Sequence, residues 1–187
     1  QAAAAVGQCE LMYTYDNLFS QYNHTVAQIL LTGENVENQT QFCNFKNTIN
    51  RLLELDALPV INENDTVATD EIVIGDNDTL AAIVAVSVKA DILVLLSDID
   101  GLYTSDPHKC ENAELISRIE VIDDDIRALA GGAGSKNGTG GMVTKIRAAE
   151  MCMAAGCDMV IANGSYPEKL YDIIQGDDVG SRFIGKR

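Results

Sequence analysis

This chain of 187 residues is short of positive charge: 13 lysines and arginines stand against 28 acidic side chains, for a net charge of −15. Nucleic-acid backbones are held by clustered Lys and Arg, so this balance argues against a nucleic-acid surface. Histidine is scarcer still. His24 and His108 are the two present and lie far apart, which excludes a His-rich metal site and argues against a histidine base. The five cysteines (Cys9, Cys43, Cys110, Cys152 and Cys157) form no Cys-x-x-Cys pair. An odd count at irregular spacing argues against structural zinc and a disulfide framework. They read as buried or idle thiols of a reducing cytosol, hence a cytoplasmic protein. No apolar run approaches the ~20 residues of a membrane span. Two nucleotide signatures are missing as well. Gly134 and Gly138 are followed by Ser135 and Thr139, so Gly-x4-Gly-Lys-Ser/Thr does not occur, and Gly132-x-Gly134-x-x ends on Asn137 rather than a third glycine.

What remains is the composition of a globular domain, 47% hydrophobic and 22% charged, long enough to bury a sizeable core. One stretch stands out, from Gly131 to Lys145, with glycine also at 132, 134, 138, 140 and 141. Glycines let backbone N–H groups turn toward a ligand, and a helix N-terminus adds unpaired donors and partial positive charge. Thr144 and Lys145 fall in the first turns of the helix that follows. Together these are parts of a phosphate cradle. In so acidic a chain an anion needs local N–H groups, a few placed cations and a metal ion.

The periodicity along the chain predicts alternating elements. Leu11, Met12, Tyr15, Leu18, Phe19 and Tyr22 form a helical stripe, and Val26–Leu31 reads as a buried strand. A helix over 44–55 precedes a second strand at Leu58–Ile61. Glu71–Ile74 has the look of a short strand. Asp78 or Thr79 caps a helix to about Lys89. Ile92–Leu96 reads as a central strand, Leu115–Ile122 as an edge strand, and Asp123 as the cap of a helix to Ala130. Met142, Ile146, Ala149 and Met153 mark one helical face, which Gly156 ends. Met159–Ala162 is the fourth strand, Tyr166-Pro167 opens a last helix, and Ser181–Ile184 is a short strand. Strands alternating with helices predict an α/β layered fold with a mainly parallel sheet, without internal repeat or second domain. Ligands in such folds bind beyond the carboxyl ends of the strands. The segments there are polar or acidic: Thr32-Gly33-Glu34, Asn62-Glu63-Asn64-Asp65, Ser97-Asp98-Ile99-Asp100-Gly101 and Asn163-Gly164-Ser165.

Each cluster alone has an ordinary reading as a turn or helix cap. Their ordered combination is more specific. Asn62-Glu63-Asn64-Asp65, Gly75-Asp76-Asn77-Asp78, Asp98-x-Asp100-Gly101-Leu102-Tyr103 and Gly138-Thr139-Gly140-Gly141-Met142-x-Thr144-Lys145 together resemble the amino-acid kinase family, from about Gly7 to Phe183. The resemblance implies a three-layer αβα sandwich with a mainly parallel central sheet. It implies phosphoryl transfer from ATP with Mg2+ to the side-chain carboxylate of L-glutamate, giving glutamyl 5-phosphate in proline biosynthesis. It assigns substrate binding to Asn62, Asp65, Asp76 and Asn77. Asp78 is then the aspartate that organises the catalytic lysines. Ser97 and Asp98 contact the nucleotide; Ser97 stands where the family often has Thr and keeps the hydroxyl. Thr139, Gly140, Gly141, Met142, Val143, Thr144 and Lys145 hold ATP, with Lys145 as the catalytic cation. The metal ligands stay unassigned. Proline as feedback inhibitor and a homo-oligomer are further implications.

The chemistry suits the side chains present. A carboxylate nucleophile, with reference pKa near ~4.3, is already ionised at neutral pH and needs no general base. One departure matters. Family members begin with a lysine-bearing strand, a Gly-Ser-Ser-type loop and a helix, whereas the first Lys or Arg here is Lys46. The expectation is a catalytic domain over 1–187 that lacks that strand and phosphate loop, lacks the C-terminal RNA-binding-like domain of many members, and has little or no activity when made alone. Two alternatives stay open: a sister kinase acting on another carboxylate or carbamate, and a non-catalytic fragment that binds an amino acid, proline or a partner subunit.

Overall fold

The computed structural model describes residues 1–68, 74–107, 109–110, 112–131 and 141–186, and its contacts divide into two compact units, Gln1–Leu80 and Ala81–Arg187. Most of the expected strand at Glu71–Ile74 lies outside the described residues, as do Thr139 and Gly140 and most of the glycine stretch.

In the first unit two strands pair in parallel. β1 (Thr25–Leu31) and β2 (Ala57–Glu63) run in register from Thr25 opposite Ala57 to Leu31 opposite Glu63. The chain crosses between them through α2 (Gly33–Glu37) and α3 (Gln39–Glu54). Both helices start at side-chain caps. Thr32 Oγ1 accepts from the Asn35 N–H while Asn35 Oδ1 accepts from the Thr32 N–H, a reciprocal capping box. Asn38 Oδ1 accepts from the N–H groups of Thr40 and Gln41. Phe45 and Ile49 are the buried residues of α3. Asp56, at φ +56°, turns the chain into β2.

Ahead of β1 lies α1 (Ala2–Ser20), one uninterrupted helix. Its expected inward stripe is only half covered. Met12, Tyr15 and Phe19 are partly buried, Leu11 and Leu18 are exposed, and no residue of the helix is fully buried. Among the described residues, two strands about 4.8 Å apart lie beside a helix about 28 Å long, and the outer part of the stripe is left uncovered.

α4 (Asn77–Ser87) carries the chain from the first unit into the second. The second unit is built on four strands: β3 (Ile92–Ser97), β4 (Arg118–Ile119), β5 (Asp158–Asn163) and β6 (Ser181–Phe183), in the order β3-β5-β6-β4. β3 is parallel to β5 and β4 to β6, while β6 runs antiparallel to β5. Among the described residues β5 is paired on both sides and buried along both faces, while β3 pairs with β5 on one side and its Leu96 is exposed. The expected strand over 115–122 reduces to β4, at the opposite edge, plus an isolated bridge between Tyr103 and Leu115.

Helices cover both faces of β5. Met159 and Ile161 pack with Ala148, Ala149 and Cys152 of α6 (Met142–Ala154), where small residues let helix and sheet approach closely. Val160 and Ala162 pack with Ile173 of α7 (Lys169–Gln175) on the other face. This is the three-layer α/β arrangement, with mainly parallel strands. α5 (Asp124–Gly131) starts at Asp123, whose Oδ1 accepts from the Ile126 N–H at 2.9 Å, as expected. α7 begins at Lys169, two residues beyond Pro167. Gly156, at φ +81°, ends α6. Among the described residues, no helix is long and apolar enough to cross a membrane.

Candidate active site

Two polar clusters form at the carboxyl ends of parallel strands, one in each unit. In the first unit Asn62 and Glu63 are the last residues of β2 itself, and Asn64 and Asp65 follow. The Asn64 N–H donates to the Leu31 carbonyl at 2.6 Å, joining the ends of β1 and β2. Thr66 Oγ1 donates to Asn64 Oδ1 and closes the turn. Glu63 Oε1 accepts from the Ile74 N–H at 2.9 Å. Asn62 Nδ2 donates to Gln8 Oε1 of α1 at 2.9 Å. These groups border a cavity of ≈ 280 Å³ lined by α1, Leu30 and residues 62–66.

The contribution of α1 follows from its periodicity. Ala4, Gly7, Gln8 and Leu11 all line the cavity, and they stand at i, i+3, i+4 and i+7 on one helical face. Ala4 and Gly7 leave room, and Gln8 supplies the polar group. The sequence held part of this signal: Gln8 stands one turn ahead of Met12, in line with Tyr15 and Phe19, but the stripe as read began at Leu11.

Asp76 has a different job from the one expected of its neighbours. Its Oδ1 accepts from the Thr79 N–H at 2.7 Å and its Oδ2 from Thr79 Oγ1 at 2.9 Å. Asp76 is thus the N-cap of α4, in place of Asp78 or Thr79, because its carboxylate sits three residues ahead of the N–H it accepts from. Gly75 precedes it at φ +92°, in the left-handed region that favours glycine. Asn77 is exposed and Asp78 partly buried in the first turn.

In the second unit the end of β3 meets the end of β5. The Gly164 N–H donates to the Ser97 carbonyl at 2.8 Å. Ser97 Oγ donates to Asp98 Oδ1 at 3.1 Å, and Asp98 is exposed. Asp100 ties the loop down, accepting from Asn163 Nδ2 at 2.8 Å and from the Tyr103 hydroxyl at 3.0 Å. Partial burial, then the bond to Asp100 and its charge, push the Tyr103 phenol above its ordinary value, so it remains a donor. Behind the loop, buried Ser181 Oγ accepts from the Leu102 N–H at 2.8 Å. A Cβ on Gly180 would lie 2.0 Å from the Ile161 carbonyl oxygen, so only glycine fits there. Sequence reasoning missed Ser181 and Gly180 as supports of this loop, because they come some eighty residues later and carry no local motif.

α6 opens on Gly141, which no side chain caps. Thr144 Oγ1 donates to the Gly141 carbonyl at 2.7 Å. Lys145, one position further, is buried at 8% exposure, unusual for a lysine without a specific task. Met142 is partly buried and Val143 exposed. An anion at this helix start would meet N–H donors and an ammonium group. Burial pushes the Cys152 thiol from 9.0 up to about 12, helped by adjacent Cys157; these two cysteines are buried, while Cys9 and Cys43 are exposed. Among the described residues, no group of three His, Cys, Asp or Glu could hold a metal ion.

Residues 1–163 match the model of the amino acid kinase family. The chain is 49% identical over 191 aligned residues to a glutamate 5-kinase of Clostridium perfringens, covering all of this chain and 71% of that protein. A glutamate 5-kinase of Carboxydothermus hydrogenoformans is 52% identical, and there the chain spans half of the relative's length. Among solved structures, carbamate kinase from Giardia lamblia bound to AMP-PNP superposes with a TM-score of 0.62 at 19% identity, over 91% of this chain and 66% of that one. An isopentenyl phosphate kinase does so with the same TM-score at 18% identity, over 93% and 65%. These structural matches speak to the fold alone. From the length of the family match and the identity to its members, the chain belongs to the amino acid kinase family.

Proposed function

We propose that this chain carries the phosphotransferase core of a glutamate 5-kinase, transferring the γ-phosphoryl group of ATP to the side-chain carboxylate of glutamate. The observation that carries the reading is the sharing of about half its residues, along the whole chain, with enzymes of that name. The chemistry of the two clusters agrees with it. The cluster at the end of β2 offers Asp65 to an ammonium group, and amide groups of Asn62 and Asn64 to carboxylate oxygens. Asn77 adds a further amide, and Asp76 and Asp78 sit in the same acidic turn. The cluster at the end of β3 offers the Ser97 hydroxyl and Asp98 to a nucleotide. Gly141, Met142, Val143 and Thr144 bring the start of α6 to its phosphates, with Thr139 and Gly140 assigned to the same segment.

The acceptor carboxylate is ionised at neutral pH, so no side chain has to remove a proton. Catalysis then reduces to placing two anions together and stabilising charge on the transferring group. Lys145 is the cation for that task, and the N–H groups at the start of α6 add donors. Asp78 is assigned to orient it. A divalent ion arriving with the nucleotide would supply further positive charge; Mg2+ is held largely by phosphates and water, with one or two carboxylates, and Asp98 is an exposed carboxylate of the right kind. We further propose inhibition by proline, a glutamate-derived amino acid of similar α-carbon chemistry, and self-association.

The test is ADP formation by the full-length protein with glutamate, aspartate, N-acetylglutamate or carbamate as acceptor. Preference for glutamate is expected; strong preference for a competitor overturns the substrate assignment. Lys145→Met should lower kcat about 10²–10³-fold, the typical loss when one stabilising donor is removed, with little change in KM for glutamate. Near-normal kcat would remove Lys145 from the chemistry.

A further inference from the structure

We infer that Gln8 is a substrate-recognition residue, its side-chain N–H group holding the non-reacting α-carboxylate of the amino-acid acceptor. The inference rests on the reading of the acceptor as glutamate. Gln8 Oε1 is taken by Asn62 Nδ2 at 2.9 Å. Gln8 Nε2 is buried and has no hydrogen-bond partner among the described residues. Buried polar groups in folded proteins almost always find a partner, and an amide donor left alone is costly. Gln8 lines the ≈ 280 Å³ cavity at the end of β2, so a bound molecule can supply the missing acceptor.

The lining says which acceptor. Among the described residues it contains Glu63 and Asp65 and no Lys, Arg or His. A zwitterionic amino acid there finds carboxylates for its ammonium group. Its own carboxylate finds neutral donors there: the Gln8, Asn62 and Asn64 amides. The bond from Asn62 fixes the Gln8 amide with its oxygen engaged, which leaves the N–H group for the ligand. A donor on the attacking carboxylate would withdraw electron density from it. The α-carboxylate, which takes no part in bond making, is the group that gains from being held.

The experiment uses the full-length protein and compares wild type, Gln8→Met and Gln8→Glu with glutamate and with 4-aminobutanoate, which is glutamate without its α-carboxylate. Gln8→Met keeps the length and removes the donor together with the acceptor that Asn62 uses; Gln8→Glu keeps that acceptor and puts a negative charge in place of the donor. KM for glutamate should rise about 10- to 100-fold in Gln8→Met, the range for losing a hydrogen bond to a charged group, and further in Gln8→Glu. KM for ATP should not move. With 4-aminobutanoate, wild type and Gln8→Met should perform alike. Gln8→Met also gives up the bond from Asn62 to Gln8 Oε1, so a small fall in melting temperature accompanies the rise in KM. An unchanged KM for glutamate overturns the inference, as does an equal penalty on both acceptors. If the wild-type protein does not phosphorylate glutamate at all, the parent reading falls and takes this one with it.

Discussion

Asp76 shows how one carboxylate can be read two ways. Its pattern, Gly-Asp-Asn-Asp ahead of a helix, suits both a substrate site and an N-cap, and its oxygens are engaged by Thr79. The two roles separate by substitution. Asn caps about as well as Asp, whereas Ala forfeits the bond at a cost of about 1 kcal/mol. Asp76→Ala should therefore lose about that much in urea unfolding, and Asp76→Asn should not. If Asp76 also meets substrate, Asp76→Asn raises KM for glutamate while leaving stability intact; an unchanged KM in Asp76→Asn restricts it to capping. Gln8 is the converse case. Nothing in its immediate neighbours marks it, yet its helical phase puts it on the stripe that lines the cavity.

Among elements, the join between β5 and β6 decides how the second cluster is held. Asp158, the first residue of β5, is buried and accepts from Arg182 Nε at 3.1 Å, Arg182 Nη2 at 3.0 Å and the Gly185 N–H at 2.9 Å. It ties β6 and the following turn to β5, and β6 carries Ser181, which holds the loop after β3. Removing one partner of such a pair leaves the other uncompensated. Asp158→Ala should destabilise the protein by about 3 kcal/mol in denaturant unfolding. A loss under about 0.5 kcal/mol would mean the pair is solvated enough to be neutral. The elements themselves were largely legible. β1, β2, β3, β5, α5 and α6 follow from apolar runs, caps and glycine stops. What escaped was β4, cut to two residues, and the order of the strands, because strand order depends on partners distant in sequence.

At the scale of the whole molecule the dominant fact is charge. A chain at −15 repels anionic ligands before any contact is made. Screening shortens that repulsion from about 30 Å at 0.01 M salt to about 8 Å at 0.15 M. kcat/KM for glutamate should accordingly rise over that interval, measured with nucleotide and metal saturating. A steep fall instead would point to long-range attraction by a local positive field that the net charge conceals. The chain spans 71% of one clostridial relative and half of the Carboxydothermus one.

The sequence by itself determined the alternation of strands and helices, the polar ends of the strands and the family, because those are written in local periodicity and in motifs of adjacent residues. Asn62, Asp65, Ser97 and Asp98 were assigned that way, and each stands at or beside a strand's carboxyl end. Tertiary structure alone decided that Gln8 joins Asn62 across fifty-four positions, that Asp100 is a tie between two strand ends, and that Ser181 and Gly180 hold a loop from beyond β5. These are hydrogen bonds and close approaches between segments far apart in the chain. Nothing in the local pattern of either partner specifies the other; the register of the strands and the phase of a helix bring them together.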